Sequence, residues 1–300
     1  MFELRMQAAN IDEVVQTMDM IIERCIREGD RIGYFASLYR TTTIVVRQRC
    51  EAGFFEDNER MRRLDTVFAN RYFEALETYQ RGAVPTQSWL VSFEAATKRH
   101  LLLLQHLLMG MNAHIMLDLG ISTAQVAEGA LTPSLKRDFD KLNLILTGLI
   151  EAVEEDITSV SPLFGTFAKI AARTDEAVVS YSIKTARDQA WKFATKLVNQ
   201  PSDVSKALVT QQDALVARLG RTISSTNWFI NPLVWLVNWR ESKDIRQIVS
   251  HLSNESWMTT LHFKVDEVWE AAQKMGINLA DWQARPTQTR ATGVLPRKNS

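Results

Sequence analysis

Apolar residues recur three and four positions apart through most of this chain, the spacing that places them on one face of an α-helix. The first such run, Ile11, Val14, Val15, Met18, Ile21, Ile22 and Cys25, predicts a helix over 11–27 that Gly29 stops. Asp30, a favourable N-cap, opens a second helix through Tyr34, Phe35, Leu38, Tyr39, Ile44 and Val45 towards Gly53. Within it, Thr41 to Val46 is β-branched and taken alone would pass for a strand, but its flanks keep the helical period. A third helix, from about Asp57 to Gln80, sets Met61, Leu64, Val67, Phe68, Tyr72, Ala75 and Leu76 on one side and ends at Gly82 before Pro85. Residues 86–119 read as one long central helix, nearly apolar all round from Leu101 onward, the signature of burial on every side. Thr132-Pro133 supplies an N-cap followed by proline at the first helical position, and predicts a helix to about Val160. Further helices are predicted over about 175–198, 203–219, 232–252 and 255–275.

This pattern predicts an all-α fold, a single large bundle of roughly nine or ten helices over 1–282. A polar tail with Pro286, Gly293 and Pro296 follows over 283–300. No repeat occurs at the periods of about 34 to 47 residues typical of helical solenoids.

The polar residues that interrupt the apolar faces carry the chemistry. His114 and Asp118 stand one helical turn apart in the most apolar part of the chain and project side by side. Burying them without partners costs several kcal/mol, so a group on a neighbouring helix, a metal or a ligand must meet them. His106 and Gly110 continue the same stripe at four-residue steps, and the missing side chain at Gly110 admits either another helix or a ligand beside the imidazole. Asp65 shares a core face with Met61, Phe68 and Tyr72, and Arg31 precedes Phe35, Leu38 and Thr42 in the same way. Asn143 lies among Leu142, Leu144 and Ile145, and Arg187 shares a stripe with Trp191 and Ala194.

Three arrangements satisfy that requirement. His114, Asp118 and Asp65, with Asp30 or Asp140, are zinc-type ligands, and a zinc or similar divalent ion with an open position would activate water. In that case His114, Asp118, Asp65 and Arg31 would form the catalytic set of a metal-assisted hydrolase acting on a phosphoester or lipid-like substrate. Alternatively, Tyr34, Tyr39, His106, Gly110, Asn143, Arg187 and Trp191 line a metal-free pocket. Phe68, Tyr72, Trp89, Met109, Met111 and Met116 would enclose it around a lipid, isoprenoid or polyketide-like molecule that is bound or cyclised. In the third, Asp118 or Asp65 accepts from His114, Arg31 or Arg187 in a polar network that only specifies packing.

Composition narrows the field. Of 300 residues 46% are hydrophobic, enough for a large core, and 35 basic against 35 acidic residues leave no formal net charge. That balance lacks the electrostatic footprint of a nucleic-acid binder. The start, Met1-Phe2-Glu3-Leu4-Arg5, has no apolar leader, so the expected compartment is the cytoplasm. Cys25 and Cys50 sit on separate predicted helices and read as buried small hydrophobes. The run from Trp228 to Trp239, broken by Asn231-Pro232, is shorter than the roughly 20 residues that span a bilayer. Glycine-rich phosphate loops, dinucleotide fingerprints and nucleophile elbows are missing from the sequence.

Several of these residues recur in a recognisable combination. Asp30-Arg31, Tyr34-Phe35, Leu38-Tyr39-Arg40, Leu64-Asp65, Phe68-Ala69, Arg71-Tyr72, Asn112-Ala113-His114-Ile115, Asp118-Leu119, Ala186-Arg187 and Ala190-Trp191 together resemble an all-helical family found mainly in bacteria. The resemblance covers about the first 250 residues; it implies a helical fold and no particular reaction. More remotely, Asn112 to Leu119 is similar to the Ala-His-Tyr-x-x-Asp segment of zinc-dependent phospholipases C and P1-type nucleases. Where those enzymes continue with further histidines, this chain reads Leu119-Gly120-Ile121, so the likeness implies one or two metals and no trinuclear centre.

Overall fold

The computed structural model describes residues 6–142, 145–146, 183–225 and 244–254, and all of its regular elements are helices. They are α1 (Ile11–Glu28), α2 (Ile32–Glu51), α3 (Asn58–Gln80), α4 (Gln87–Ala96), α5 (Leu103–Ala113), a π-helical segment (His114–Asp118) and α6 (Leu119–Val126). Helical residues 133–142 follow, then α7 (Ile183–Leu197), α8 (Ser202–Ser224) and α9 (Ile245–Leu252). The architecture is an all-α bundle.

Local chemistry sets the helix ends. Asn10 and Asp57 cap α1 and α3 by accepting from the backbone N–H of Glu13 and Arg60. Gly29 closes α1 at φ 70°, a left-handed conformation that costs glycine little. Asp30 helps to start α2 by accepting from Ile32 N–H at 3.0 Å. The β-branched stretch is helical because its hydroxyls turn inward. Thr41 and Thr42 donate to the carbonyls of Ser37 and Leu38, so these buried side chains need no partner outside α2. Thr132 accepts from Leu135 N–H, as an N-cap should.

The central helix differs from its sequence expectation in two places. Residues 97–102 break it between α4 and α5, where exposed Lys98, Arg99 and His100 turn the chain before Leu101 and Leu102 re-enter the core. Gln105 holds the new start, its Oε1 accepting from Leu102 N–H and its Nε2 donating to Ile223 O on α8. Further on the helix widens into the π segment at His114–Asp118, closed by the bond from Leu119 N–H to His114 O.

One main core joins α1, α2, α3, α4, α5 and α9, with Met18, Phe35, Leu64, Tyr72, Phe73, Trp89 and Val249 among its buried members. Satellite clusters pack α7 and α8 against the π segment and α6. The π segment therefore has α3 on one side and α7 and α8 on the other, which buries His114 and Asp118 almost completely. Cys25 on α1 and Cys50 on α2 are buried free thiols, each pushed up to about 12 by burial. Among the described residues no helix is long and apolar enough to cross a membrane. The 228–239 run, residues 232–243 of the helix predicted over 232–252, residues 175–182 of the one predicted over 175–198, the helix predicted over 255–275, the continuation from 147 to 160, and the 283–300 tail lie outside the described residues.

Candidate functional site

Asp118 is the anchor of the site, and three elements meet on it. Arg71 Nε from α3 donates to Oδ1 at 2.8 Å, and Trp89 Nε1 from α4 donates to Oδ2 at 2.7 Å. His114 Nδ1 lies 3.2 Å from the same Oδ2. Burial alone would raise the Asp118 pKa. The Arg71 guanidinium, the His114 contact and the Trp89 hydrogen bond outweigh it and hold the carboxyl below its ordinary value, so it is ionised. His114 shifts down, chiefly because burial penalises the imidazolium more than Asp118 rewards it, so the ring is neutral at neutral pH.

Those two charge states fix the tautomer. An ionised carboxylate only accepts, so Nδ1 carries the proton and donates to Asp118, which leaves Nε2 a bare acceptor. Nε2 is buried and has no hydrogen-bond partner among the described residues. Aromatic rings set the imidazole's orientation. Phe68 stacks on it with centroids 3.5 Å apart, and Tyr39 and Phe35 stand edge-on at 4.5 and 5.7 Å.

His114 forms part of the wall of a cavity of about 70 Å³ between α2, α3, the π segment and the side chains of Phe139, Leu142, Ile145 and Leu146. Its lining is mostly apolar, including Leu38, Leu64, Phe68, Ile115, Phe139 and Leu142. Tyr39, Asp65 and Arg187 supply further polar groups. Tyr39 Oη and Asp65 Oδ2 have no hydrogen-bond partner among the described residues. Burial drives Asp65 up to about 7, with the Thr43 hydroxyl nearby offsetting part of the rise without reaching hydrogen-bond geometry. Tyr39 is raised as well, by burial first and by the carboxylates of Asp65 and Asp118 second.

The structure thus brings six of the residues singled out in the sequence, His114, Asp65, Tyr39, Arg187, Phe68 and Met111, to one cavity, with Asp118 directly behind His114. It places the others elsewhere. Arg31 and His106 line a separate cavity of about 20 Å³, where Tyr34 meets His106 edge-on at 5.7 Å. Burial, with the charges of Arg31 and His100, pushes His106 down to about 3. Phe35, Tyr72 and Trp89 stand between the two cavities, lining the smaller one and touching His114. Gly110 opens no space for a ligand, because a Cβ there would meet Phe35 Cδ2 at 2.6 Å. Trp191 packs behind the cavity wall, 5.1 Å from Phe139, with Lys136 Nζ 5.4 Å from its ring centre. Asp30 caps α2 and Asp140 pairs with Lys136. Asn143 lies outside the described residues.

Among the described residues the zinc centre that the His114–Asp118 segment suggests finds no third ligand. Both Asp118 oxygens already accept from Arg71 and Trp89. Among the described residues no group of three or more His, Cys, Asp and Glu side chains converges in a way that could hold a metal ion. What the arrangement supplies is a hydrogen-bond acceptor of fixed direction. A carboxylate that orients one imidazole nitrogen leaves the other able to accept, or take, a proton from a bound hydroxyl.

The roles of two residues essential to this geometry escape a reading of the sequence, which names Trp89 only as an enclosing aromatic. Arg71 looks like a solvent-facing helical residue, and its side chain is in fact 24% exposed while its Nε reaches Asp118. Trp89 reads as a core aromatic, and only its indole N–H distinguishes it. The Arg71-Tyr72 pairing in the resemblance was the one available signal for the first.

The chain belongs to a family of unknown function, DUF5995, whose model matches residues 11–226. That span holds every side chain of the site described above. No curated protein and no solved structure matches the chain, so the likeness to phospholipases C and P1-type nucleases rests on the 112–119 segment alone.

Proposed function

We propose that this chain binds a small, mainly apolar molecule in the cavity between α2, α3 and the π segment, with the His114–Asp118 pair as its polar contact. The observation that carries the reading is a buried imidazole nitrogen without a partner among the described residues, on a side chain that lines an apolar cavity. A native fold keeps such an acceptor at a cost of roughly 1–3 kcal/mol, which a ligand's hydrogen bond would recover. Small-molecule sites share this composition, apolar walls with a few convergent polar groups.

The volume sets the scale. At about 70 Å³ the cavity is smaller than the roughly 150 Å³ engineered cavity that takes up benzene. It suits a ligand, or the part of one, of a few non-hydrogen atoms. Xenon tests the reading directly. Xenon NMR on the native chain is expected to show one saturable site that perturbs the amide signals of His114 and Ile115. Leu64→Phe, which extends a lining side chain into the space, should abolish it while the helical circular dichroism is unchanged. Absence of a saturable site in the native chain would overturn the proposal.

A further inference from the structure

Resting on that reading, we infer that the ligand is a neutral hydroxyl compound, a short alcohol that donates its hydrogen to His114 Nε2. The argument starts from the tautomer. Asp118 already takes donors from Arg71 and Trp89 and can only accept from His114, so Nδ1 must be the protonated nitrogen and Nε2 the acceptor. The ligand must therefore bring a donor. A pure hydrocarbon would leave Nε2 as unsatisfied as before.

Charge then narrows the donor. An ammonium would have to give up its hydration shell to enter a cavity whose lining is mostly apolar, a cost of several kcal/mol. A carboxylate brings only acceptors, which cannot meet the lone pair of Nε2. A hydroxyl has neither defect, since it donates once and still accepts. Tyr39, another lining residue, has a buried hydroxyl without a partner among the described residues, and its ring stands 4.5 Å from the His114 ring.

Probes of four non-hydrogen atoms separate these cases at a size the cavity accepts. Isopropanol, isopropylammonium and acetate would be titrated into the full chain by NMR, alongside xenon. The expected result is isopropanol at least about tenfold tighter than either ion, a difference of roughly 1.4 kcal/mol. The His114 Nε2 resonance should move in the direction of hydrogen-bond acceptance on binding. His114→Phe, which keeps the ring against Phe68, should retain xenon and bind isopropanol about tenfold more weakly. The Nε2 resonance of the native chain decides the matter even if that variant fails to fold. If xenon binds but isopropanol leaves Nε2 unmoved, the hydroxyl assignment fails while the pocket stands. If isopropylammonium binds best, and tighter above pH 7, Asp65 is the ligand group and the hydroxyl assignment is again overturned. If neither xenon nor isopropanol binds, the pocket itself is refuted.

Discussion

Asp65 shows how one buried side chain can work against the fold that holds it. Its carboxyl rises from the usual 3.8 to about 7 because the cavity wall offers the anion almost no solvation. Between those two values the unfolded chain has released the proton and the folded chain keeps it, so stability falls as pH rises through that window and levels off above it. At about 1.4 kcal/mol per unit, the loss is on the order of 4 kcal/mol. Asp65→Asn copies the neutral carboxyl, so its unfolding free energy should exceed that of the native chain at pH 8 and converge on it near pH 4. Urea titrations at both values check this, and an equal or lower midpoint for the variant at pH 8 would refute the assignment. At this scale the sequence was informative about one half of the site. His114 and Asp118 announce themselves as polar residues in an apolar helix that demand a partner. The partner's identity was hidden, because Arg71 and Trp89 come from 47 and 29 residues away and neither breaks a local pattern. The stripe through His106 and Gly110 misled for a related reason. It presumes an unbroken α-helical period and says nothing of what faces it, and what faces Gly110 is the ring of Phe35.

At the scale of the element, the dyad at the centre of the site sits in the π segment. Widening the turn at His114–Asp118 removes the regular hydrogen-bonding pattern from the stretch that holds the dyad, and such segments cluster at functional sites. No hydrophobic pattern encodes one, whereas helix ends are readable where Gly29 and Thr132 act as their residue types predict. The break at 97–102 was not readable, because Leu101 and Leu102 continue the apolar run straight across it. One turn before the π segment, α5 crosses α2 at Gly110 with Phe35 seated on the glycine, and that ring also touches Tyr39, Tyr72, Trp89 and His114. Helix propensity alone would make Gly110→Ala stabilising by up to about 1 kcal/mol. A new Cβ 2.6 Å from Phe35 cannot be absorbed by a ring held on so many sides. Gly110→Ala should therefore destabilise by about 1–3 kcal/mol in denaturant titration, and a stabilised variant would show that the crossing is looser than described.

Across the whole molecule, the segment matched by the family model and the segment that completes the core do not coincide. The match ends at 226, yet α9 (Ile245–Leu252) lies beyond it and inserts Ile248, Val249 and Leu252 into the main core. Its attachment is polar as well as apolar. Arg246 donates to the carbonyls of Ile26 and Arg27, satisfying the open end of α1, and Ser37 Oγ on α2 donates to Val249 O. Val249 also fills the space beside Gly33, where α2 approaches α1 closely enough for Cys25 to share the contact. The first helix, the second and one of the last described ones are thereby locked into a single packing unit, and α2 is the element on which Phe35 and Tyr39 carry the pocket. If α9 is integral in this sense, Leu252→Ala should cost about 2–5 kcal/mol, as deletion of a fully buried aliphatic side chain does. A dispensable appendage would respond within about 0.5 kcal/mol. Chemical denaturation of the two chains distinguishes these outcomes, and a single transition displaced as a whole would show that the chain beyond the family match folds with the site it supports.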